Sequence, residues 1–229
     1  MKYIFIFYLG SIISSFLYCY CYRYINNESF VTDRSKCDVC KHKLSFINLI
    51  PIFSYVFNKG KCKYCGSKIS VIYPLSEILL GLIFLLIYLR FGINIEYLLL
   101  SMIMFCISII DYKIYIIPDR FIVMGIINRL LFINSINELY LCLTNSLIIV
   151  LPILILIFVM NRVLHKESMG LGDIKLFFML GIYFSYYYNL IAILMSCLIG
   201  IIYIAISKKR VIPYGPAICL AYLSLILFI

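Results

Sequence analysis

The sequence predicts an all-α polytopic membrane protein with about eight transmembrane helices. Three observations support this fold class. Of the 229 residues, 65% are hydrophobic and only 13% are charged, and the mean hydropathy is +1.07. A soluble globular domain is usually about 45–50% apolar and about 25% charged. The apolar residues also form runs close to the ~17–25 residues that a helix needs to cross a bilayer.

The predicted spans follow one another with polar connections. Their approximate ranges are 3–22, 73–90, 95–112, 119–135, 139–161, 173–188, 189–207 and 212–229. The first run could be mistaken for a signal peptide, but it lacks a small-residue cleavage site and more spans follow, so we expect a retained first helix. The predicted domains are therefore a transmembrane helix over 1–22, a polar loop domain over 23–72 and a seven-helix transmembrane domain over 73–229.

The distribution of positive charge predicts how the chain is oriented. The net charge is +10, from 20 Lys and Arg against 10 Asp and Glu. In the predicted topology every basic residue except Lys2, Arg90 and Arg129 lies in or beside the loops on the side of 23–72. The positive-inside rule makes that side cytoplasmic and both termini external. The basic excess is thus interpreted as topological, and no nucleic-acid partner is expected.

Four of the ten cysteines lie in the polar loop as two C-x2-C pairs, Cys37 with Cys40 and Cys62 with Cys65. This spacing is typical of structural zinc sites, in which four thiolates surround the ion and leave no open position for a substrate. Such an ion would hold together a loop too short to build its own core. Disulfides and a redox pair are the alternatives, and a reducing cytoplasm disfavours disulfides. The other six cysteines are interpreted as packing residues within the spans.

Four acidic residues lie in or at the edges of predicted spans: Glu77, Asp111, Asp119 and Asp173. An ionisable side chain in a membrane is costly and indicates function. Asp111 closes the third span and Asp173 opens the sixth, so both are expected at the cytoplasmic surface. Two adjacent carboxylates can share a proton, so that one activates a water while the other protonates the substrate carbonyl. That is aspartic-protease chemistry.

The stretch "MGLGDIKL" places Gly170 and Gly172 directly before Asp173. Because glycine has no Cβ, the backbone at these positions can adopt positive φ and allow a peptide substrate to approach Asp173 closely. The alternative is that Asp173 only caps the sixth helix, where its charge suits the helix dipole.

The other acidic residues have simpler interpretations as well. Asp111 could form a surface ion pair with Lys113. Asp119 follows a proline and is expected to cap or support the fourth span rather than react. Glu77 could pair with a basic residue of the loop.

Several motifs together resemble those of the type IV prepilin peptidases, a family of GxGD intramembrane aspartyl proteases. "DYKIYIIPD", which includes Lys113 and Pro118, and "MGLGDIKL", which includes Lys175, are similar to the two aspartate motifs of the family. The other similar stretches are "SFLYCYCYR", the four-cysteine loop, "LIPIFSY", "YPLSE" ending at Glu77, and "IPYGPAI". One departure is Tyr18, which stands where the family has asparagine.

The resemblance implies that Asp111 and Asp173 are catalytic and that Gly170 and Gly172 form the glycine signature. It also implies cleavage of a basic leader from prepilin or pseudopilin precursors at the cytoplasmic face of a bacterial inner membrane. Many members then methylate the new amino terminus with S-adenosylmethionine, a function associated with the cysteine loop. Because Tyr18 replaces the family's asparagine, the sequence supports methylation less securely than cleavage.

Two other classes of function compete with a protease. A transporter would carry its carboxylates near the bilayer midplane and show an internal repeat, whereas here the aspartates are expected at the inner edge. A non-catalytic scaffold assembled around the zinc loop is the remaining alternative.

Overall fold

Helices account for nearly all the regular structure of the chain. The computed structural model describes residues 1–28, 35–37, 39–45, 49–164, 169–208 and 211–228. Its helices are α1 (Lys2–Ile25), α2 (Phe53–Phe57), α3 (Ile72–Phe91), α4 (Ile95–Ile114), α5 (Asp119–Leu131), α6 (Ile136–Leu164), α7 (Leu171–Gly181), α8 (Tyr186–Ser207) and α9 (Gly215–Phe228). They form two units, Met1–Asn94 and Ile95–Ile229. The domain boundaries drawn from the sequence stay a prediction.

Five of the described helices are long and apolar enough to cross a membrane: α1, α3, α4, α6 and α8. The multi-pass membrane fold is therefore confirmed. The helices α5, α7 and α9 have 13, 11 and 14 residues. At 1.5 Å per residue an 11-residue helix rises only about 16 Å, against a hydrocarbon core of about 30 Å. The count of eight spans stays a prediction.

The boundary between the sixth and seventh predicted spans, placed at 188/189, is wrong. The helix break lies between Gly181 and Tyr186. Asn189 explains it, because its side-chain amide donates to the carbonyl oxygens of Gly181 and Phe184, each at 3.0 Å. These bonds satisfy carbonyls that the end of α7 leaves unpaired. Asn189 thus lies in the first turn of α8, and its side chain caps the carboxyl-terminal end of α7.

In the first unit, α1 and α3 pack antiparallel along most of their lengths. The contacting pairs are Tyr3–Tyr88, Gly10–Gly81, Ser14–Ser76 and Tyr18–Tyr73. A Cβ added to Gly10 would lie 2.9 Å from the Cα of Gly81, so the two backbones touch. Small residues permit such close packing of membrane helices. Residue numbers rise along α1 as they fall along α3 in successive pairs, so the pairs define the axial register between the two helices.

In the second unit, α7 is surrounded by α5, α6 and α9. A Cβ on Gly125 of α5 would collide with the side chain of Met179, and the hydroxyl of Ser146 on α6 donates to the carbonyl of Phe178 at 2.9 Å. The side chains of Leu176, Met179 and Leu180 are fully buried. The short helix is therefore the centre of this unit.

An ion-pair cluster joins the start of α4, the end of α5 and the start of α6. The guanidinium of Arg129 lies 2.7 Å from Glu96 and 3.0 Å from Glu138. The cation also lies over the ring of Tyr183, 5.8 Å from its centroid. The side chains of Arg129 and Glu96 are only 15% and 13% exposed, so the pair is largely shielded from water.

Candidate active site and candidate metal centre

Asp111 lies in the last turn of α4 and is 5% exposed. Its Oδ2 accepts a hydrogen bond from the backbone N–H of Gly215, the first residue of α9, at 2.9 Å. A Cβ added to Gly215 would lie 2.8 Å from the same oxygen. Residue 215 must therefore be a glycine for the carboxylate to keep this position.

Asp173 lies in the first turn of α7, whose N-cap is Gly170. The carboxylates of Asp111 and Asp173 repel each other electrostatically. Both also interact electrostatically with the buried thiol of Cys219 on α9. The structure thus brings the two aspartates within electrostatic range of each other, on helices that also contact α9. The N-cap position is Gly170, and its backbone N–H donates to the Asp173 carboxylate, so Asp173 also supports the start of the helix.

The two glycines before Asp173 do not use the positive φ that glycine permits. Gly170 has φ −70° and ψ 142°, which any residue can adopt, and Gly172 is helical. The described glycines with positive φ are Gly60, Gly66 and Gly92. The lack of a Cβ matters instead through contact, because a Cβ on Gly172 would lie 3.2 Å from that of Ile117. One on Gly170 would meet only Asp173 Oδ2, at 3.5 Å.

The other charged residues of the two aspartate motifs are exposed, whereas Pro118 is buried. Lys175 pairs with Asp119 at 2.7 Å, and these side chains are 50% and 70% exposed. Pro118 is the N-cap of α5 and Lys113 is exposed. The Asp111 carboxylate is bonded to the Gly215 amide, so the ion pair with Lys113 is not needed to explain its position.

Glu77 is buried in the second turn of α3, in the first unit. Its Oε2 accepts the backbone N–H of Ile52 at 2.7 Å, and Ser15 of α1 provides a further hydrogen bond. The Glu77 carboxylate is therefore stabilised by these hydrogen bonds, where we had expected an ion pair with a basic residue of the loop.

The four loop cysteines come together. The sulfurs of Cys37, Cys40, Cys62 and Cys65 all lie within 4.8 Å of one another, and those of Cys37 and Cys65 are 3.9 Å apart. Four thiolates around zinc at about 2.3 Å would be separated by about 3.8 Å. The cluster therefore fits a tetrahedral zinc ion.

Two similar turns build this cluster. The amide of Cys37 donates to the carbonyl of His42 and that of Lys41 to the carbonyl of Cys37. In the second turn Cys62 donates to Ser67 and Gly66 to Cys62. Lys41 and Gly66 both have positive φ, 57° and 72°. Each C-x2-C pair thus closes on itself, so that both of its sulfurs face the same point.

The thiol pKa values are consistent with a cation at this point. A backbone hydrogen bond with Cys40 lowers the pKa of Cys37 to about 6. Hydrogen bonds with Ser67 lower the pKa of Cys65. A backbone bond with His42 lowers the pKa of Cys40, but burial and the neighbouring thiols outweigh it and raise that pKa to about 11. A divalent cation would remove this mutual repulsion.

A cavity of about 230 Å³ lies in the same unit, between the end of α1, the cysteine turns and the start of α3. The polar and aromatic residues around it include Tyr22, Glu28, Tyr55, Tyr73 and Glu77. Six basic side chains also line the cavity, and Glu28 is paired with Lys36 at 3.9 Å, so the rings are the part of the lining that suits a flat heterocycle.

Sequence analysis gave no role to two residues at the aspartates. Gly215 was part of the motif "IPYGPAI", and only the fold shows that its amide holds Asp111, which is 104 positions away. Cys219 was interpreted as a packing residue; it is fully buried, and it lies in the field of both carboxylates.

Comparison with known proteins matches two family models to consecutive parts of the chain. Residues 8–91 match the Bacterial Peptidase A24 N-terminal domain, and residues 98–205 match the Type IV leader peptidase family. No solved structure matches the chain.

Several curated proteins are similar over most of the chain. A "Prepilin leader peptidase/N-methyltransferase" of Bacillus subtilis (strain 168) is 30% identical over 95% of this chain and 92% of its own length. One from Myxococcus xanthus (strain DK1622) is 30% identical over 80% of this chain and 56% of its own length. The "Type 4 prepilin-like proteins leader peptide-processing enzyme" of Escherichia coli O78:H11 is 30% identical over 86% of this chain and 77% of its own length.

Proposed function

Since this chain belongs to the type IV leader peptidase family, we propose that it is a membrane-embedded aspartyl endopeptidase that cleaves the leader from prepilin-like precursors. The observation that carries the proposal is the buried Asp111, held by the Gly215 amide and within electrostatic range of Asp173. The names of the similar proteins support prepilins as the class of substrate.

The two aspartates would divide the chemistry between them. Each carboxylate accepts one backbone hydrogen bond, Asp111 from Gly215 and Asp173 from Gly170, which leaves its other oxygen for proton transfer. Ionised Asp111 takes a proton from a water, whose oxygen attacks the peptide carbonyl carbon while protonated Asp173 donates its proton to the carbonyl oxygen. When the tetrahedral intermediate collapses, the C–N bond breaks, the amine takes the proton from Asp111, and Asp173 recovers its own.

The positive-inside rule supports a position at the cytoplasmic face of a bacterial inner membrane. The basic residues of 23–72 and those beside Asp111 and Asp173 would lie on the inside, with both termini outside. The leader, which the family resemblance implies to be basic, is cut on that side. Pilins and secretion pseudopilins are both substrates of this kind.

We further propose that the new amino terminus is methylated, because the similar proteins carry both activities in their names. S-adenosylmethionine would supply an electrophilic methyl group when bound. The cavity of the first unit offers Tyr22, Tyr55 and Tyr73, whose rings would pack against the adenine of the bound cofactor. Mass spectrometry of the mature product tests this assignment, since an unmethylated amino terminus would contradict it.

The zinc ion is proposed to be structural. Cys37, Cys40, Cys62 and Cys65 fill all four positions of a tetrahedral site and leave none for a substrate. The ion would fix the two turns to each other.

Cleavage is tested by coexpressing the chain with a precursor that has a basic leader followed by a hydrophobic helix. Asp111→Asn and Asp173→Asn should each reduce cleavage at least about 1,000-fold, because the two residues act as a unit. Both variants should reach wild-type abundance in the membrane and unfold at wild-type temperature. If either folded variant cleaved the precursor at a rate near wild type, the assignment of the pair would be wrong.

A further inference from the structure

The segment Leu49–Phe57, "LIPIFSYVF", has no charged residue although it lies within the polar loop. Five of its large apolar side chains are exposed: Leu49, Ile50, Phe53, Val56 and Phe57. Leu49 also lines the cavity of this unit, and exposed apolar side chains grouped in one short segment indicate contact with a partner or with a membrane.

Glu77 shows how deep the segment lies. It comes five positions after Ile72, the first residue of α3, which is about 8 Å along the helix axis. Its carboxylate accepts the N–H of Ile52 at 2.7 Å. The start of α2 is therefore level with the second turn of a helix that is long enough to span the membrane.

Phe53 reaches further along the same helices. Its ring centroid lies 6.1 Å from that of Tyr8 on α1. Tyr8 falls between Tyr3 and Gly10, which contact Tyr88 in the last turn of α3 and Gly81 in its middle. The ring of Phe53 thus lies beside the middle of the α1–α3 pair, where the surroundings of a spanning helix are acyl chains.

The backbone of the segment is satisfied in a way that such surroundings require. Phe53 N–H donates to Pro51 O at 2.6 Å across Ile52, which has φ 63° and ψ −54°, the strained form of the γ-turn. The amides of Ser54 and Val56 bond to carbonyls of the same turns. Glu77 binds the amide of Ile52 at the turn itself. Non-helical backbone persists at membrane depth only when its polar groups are bonded within the protein.

Basic residues follow the apolar segment. Lys59 and Lys61 lie two and four positions after its last residue, and Lys63 and Lys68 lie in the second cysteine turn. Lysines beside an apolar surface favour the boundary with anionic lipid headgroups. The order of residues, apolar and then basic, matches the order of acyl chain and phosphate in one leaflet.

We propose that Leu49–Phe57 re-enters the membrane beside α1 and α3, with its apolar side chains among the acyl chains and the lysines after it at anionic headgroups. Glu77 is the residue that holds the segment there. The loop between α1 and α3 is then held to the bilayer at three places: at α1, at α3 and at this segment between them.

The absence of tryptophan from the sequence allows a direct test. Val56→Trp places a single tryptophan in the segment, and Val39→Trp places one at a valine of the first cysteine turn; the two valines are 64% and 68% exposed. The full chain is reconstituted in vesicles of phosphatidylglycerol and phosphatidylcholine brominated along the acyl chains. We expect strong quenching and blue-shifted emission for Val56→Trp, and weak quenching with emission typical of water for Val39→Trp.

Equal quenching of the two tryptophans would overturn the proposal. Blue-shifted emission from Val56→Trp without quenching would also overturn it, because it would show that a protein surface covers the segment. In the Val56→Trp background, Glu77→Leu removes the acceptor for Ile52 and should lower the quenching. Glu77→Gln keeps a carbonyl acceptor and should retain it. Quenching that is the same in both variants would contradict the role given to Glu77.

Discussion

At the scale of single residues, the position of Asp111 depends on the absence of a Cβ at Gly215. The Gly215 amide donates to Asp111 Oδ2, and a methyl group at residue 215 would occupy the space of that oxygen. The glycine therefore orients the carboxylate without taking part in the proposed reaction itself.

Gly215→Ala should lower kcat about 100-fold, because a misplacement of about 1 Å at a reacting group has an effect of this size. KM should change little, since the substitution moves Asp111 and removes no contact with the substrate. Steady-state cleavage of a precursor in detergent measures both. A wild-type kcat in the folded variant would show that the Gly215 bond does not orient Asp111.

Gly170→Ala is the matched comparison for stability. Its Cβ would lie 3.5 Å from Asp173 Oδ2, an ordinary contact, and its backbone needs no glycine. We expect its unfolding temperature to equal that of the wild type, whereas Gly215→Ala should unfold at a lower temperature. A loss of stability at Gly170 would contradict the geometry described for the start of α7.

At the scale of helices and loops, two ion pairs of the second unit differ in their surroundings. Arg129 and Glu96 are shielded, whereas Lys175 and Asp119 are exposed. Removing one partner of a buried pair leaves an uncompensated charge, which typically costs about 3–5 kcal/mol. An exposed pair contributes about 0–1 kcal/mol.

Arg129→Leu should therefore lower the free energy of unfolding by about 3 kcal/mol, and Lys175→Ala by less than about 1 kcal/mol. Equilibrium unfolding in mixed micelles measures the two differences under one condition. Equal losses would mean that the Arg129 cluster is as accessible to water as the surface pair.

The metal centre gives a prediction that depends on pH. The pKa of Cys37 is lowered from 9.0 to about 6, so its thiolate stabilises the loop fully above the unfolded pKa and the stabilisation is lost as pH falls through about 6. Protons also compete with zinc for every thiolate. We expect purified protein to retain one zinc at pH 8 and to release it when dialysed below about pH 6 with a chelator.

Cysteine variants provide the control for this measurement. Cys62→Ser should lose the metal at pH 8, whereas Cys197→Ser, outside the cluster, should keep it. Zinc that stays bound in Cys62→Ser, or that stays bound under acid, would contradict the four-thiolate site.

Local sequence patterns predicted individual helices and turns better than they predicted the contacts between them. The C-x2-C spacing predicted the cysteine cluster because each pair folds within its own turn. The break after α7 was misplaced because Asn189 acts backwards on carbonyls up to eight positions earlier, and a hydropathy profile does not show that contact. Hydrophobicity likewise defined α3 but not the partner of Glu77, which comes from a turn 25 positions earlier.

At the scale of the whole chain, the sequence was sufficient for the membrane class and for the family. Composition and run length predicted the first, and the joint occurrence of separated motifs predicted the second. The roles of individual residues outside the recognised aspartate and cysteine motifs depend on tertiary contacts, which the sequence does not show. Gly215 and Asp111 meet only because α9 folds against α4, so no local signal revealed that bond. The ion pairs of Arg129 with Glu96 and Glu138 were missed for the same reason.

The brevity of α5, α7 and α9 has a consequence for the bilayer itself. Helices of 11 to 14 residues reach only about 16–21 Å, well short of the hydrocarbon thickness. Local thinning of the lipid around the protein is one way in which a bilayer accommodates such a mismatch. The leaflet around the exposed side of α5 would then dip and bring water closer to the carboxylates, and water is the second reactant of the cleavage. Cleavage should accordingly be faster in bilayers of short-chain lipids than in those of long-chain lipids.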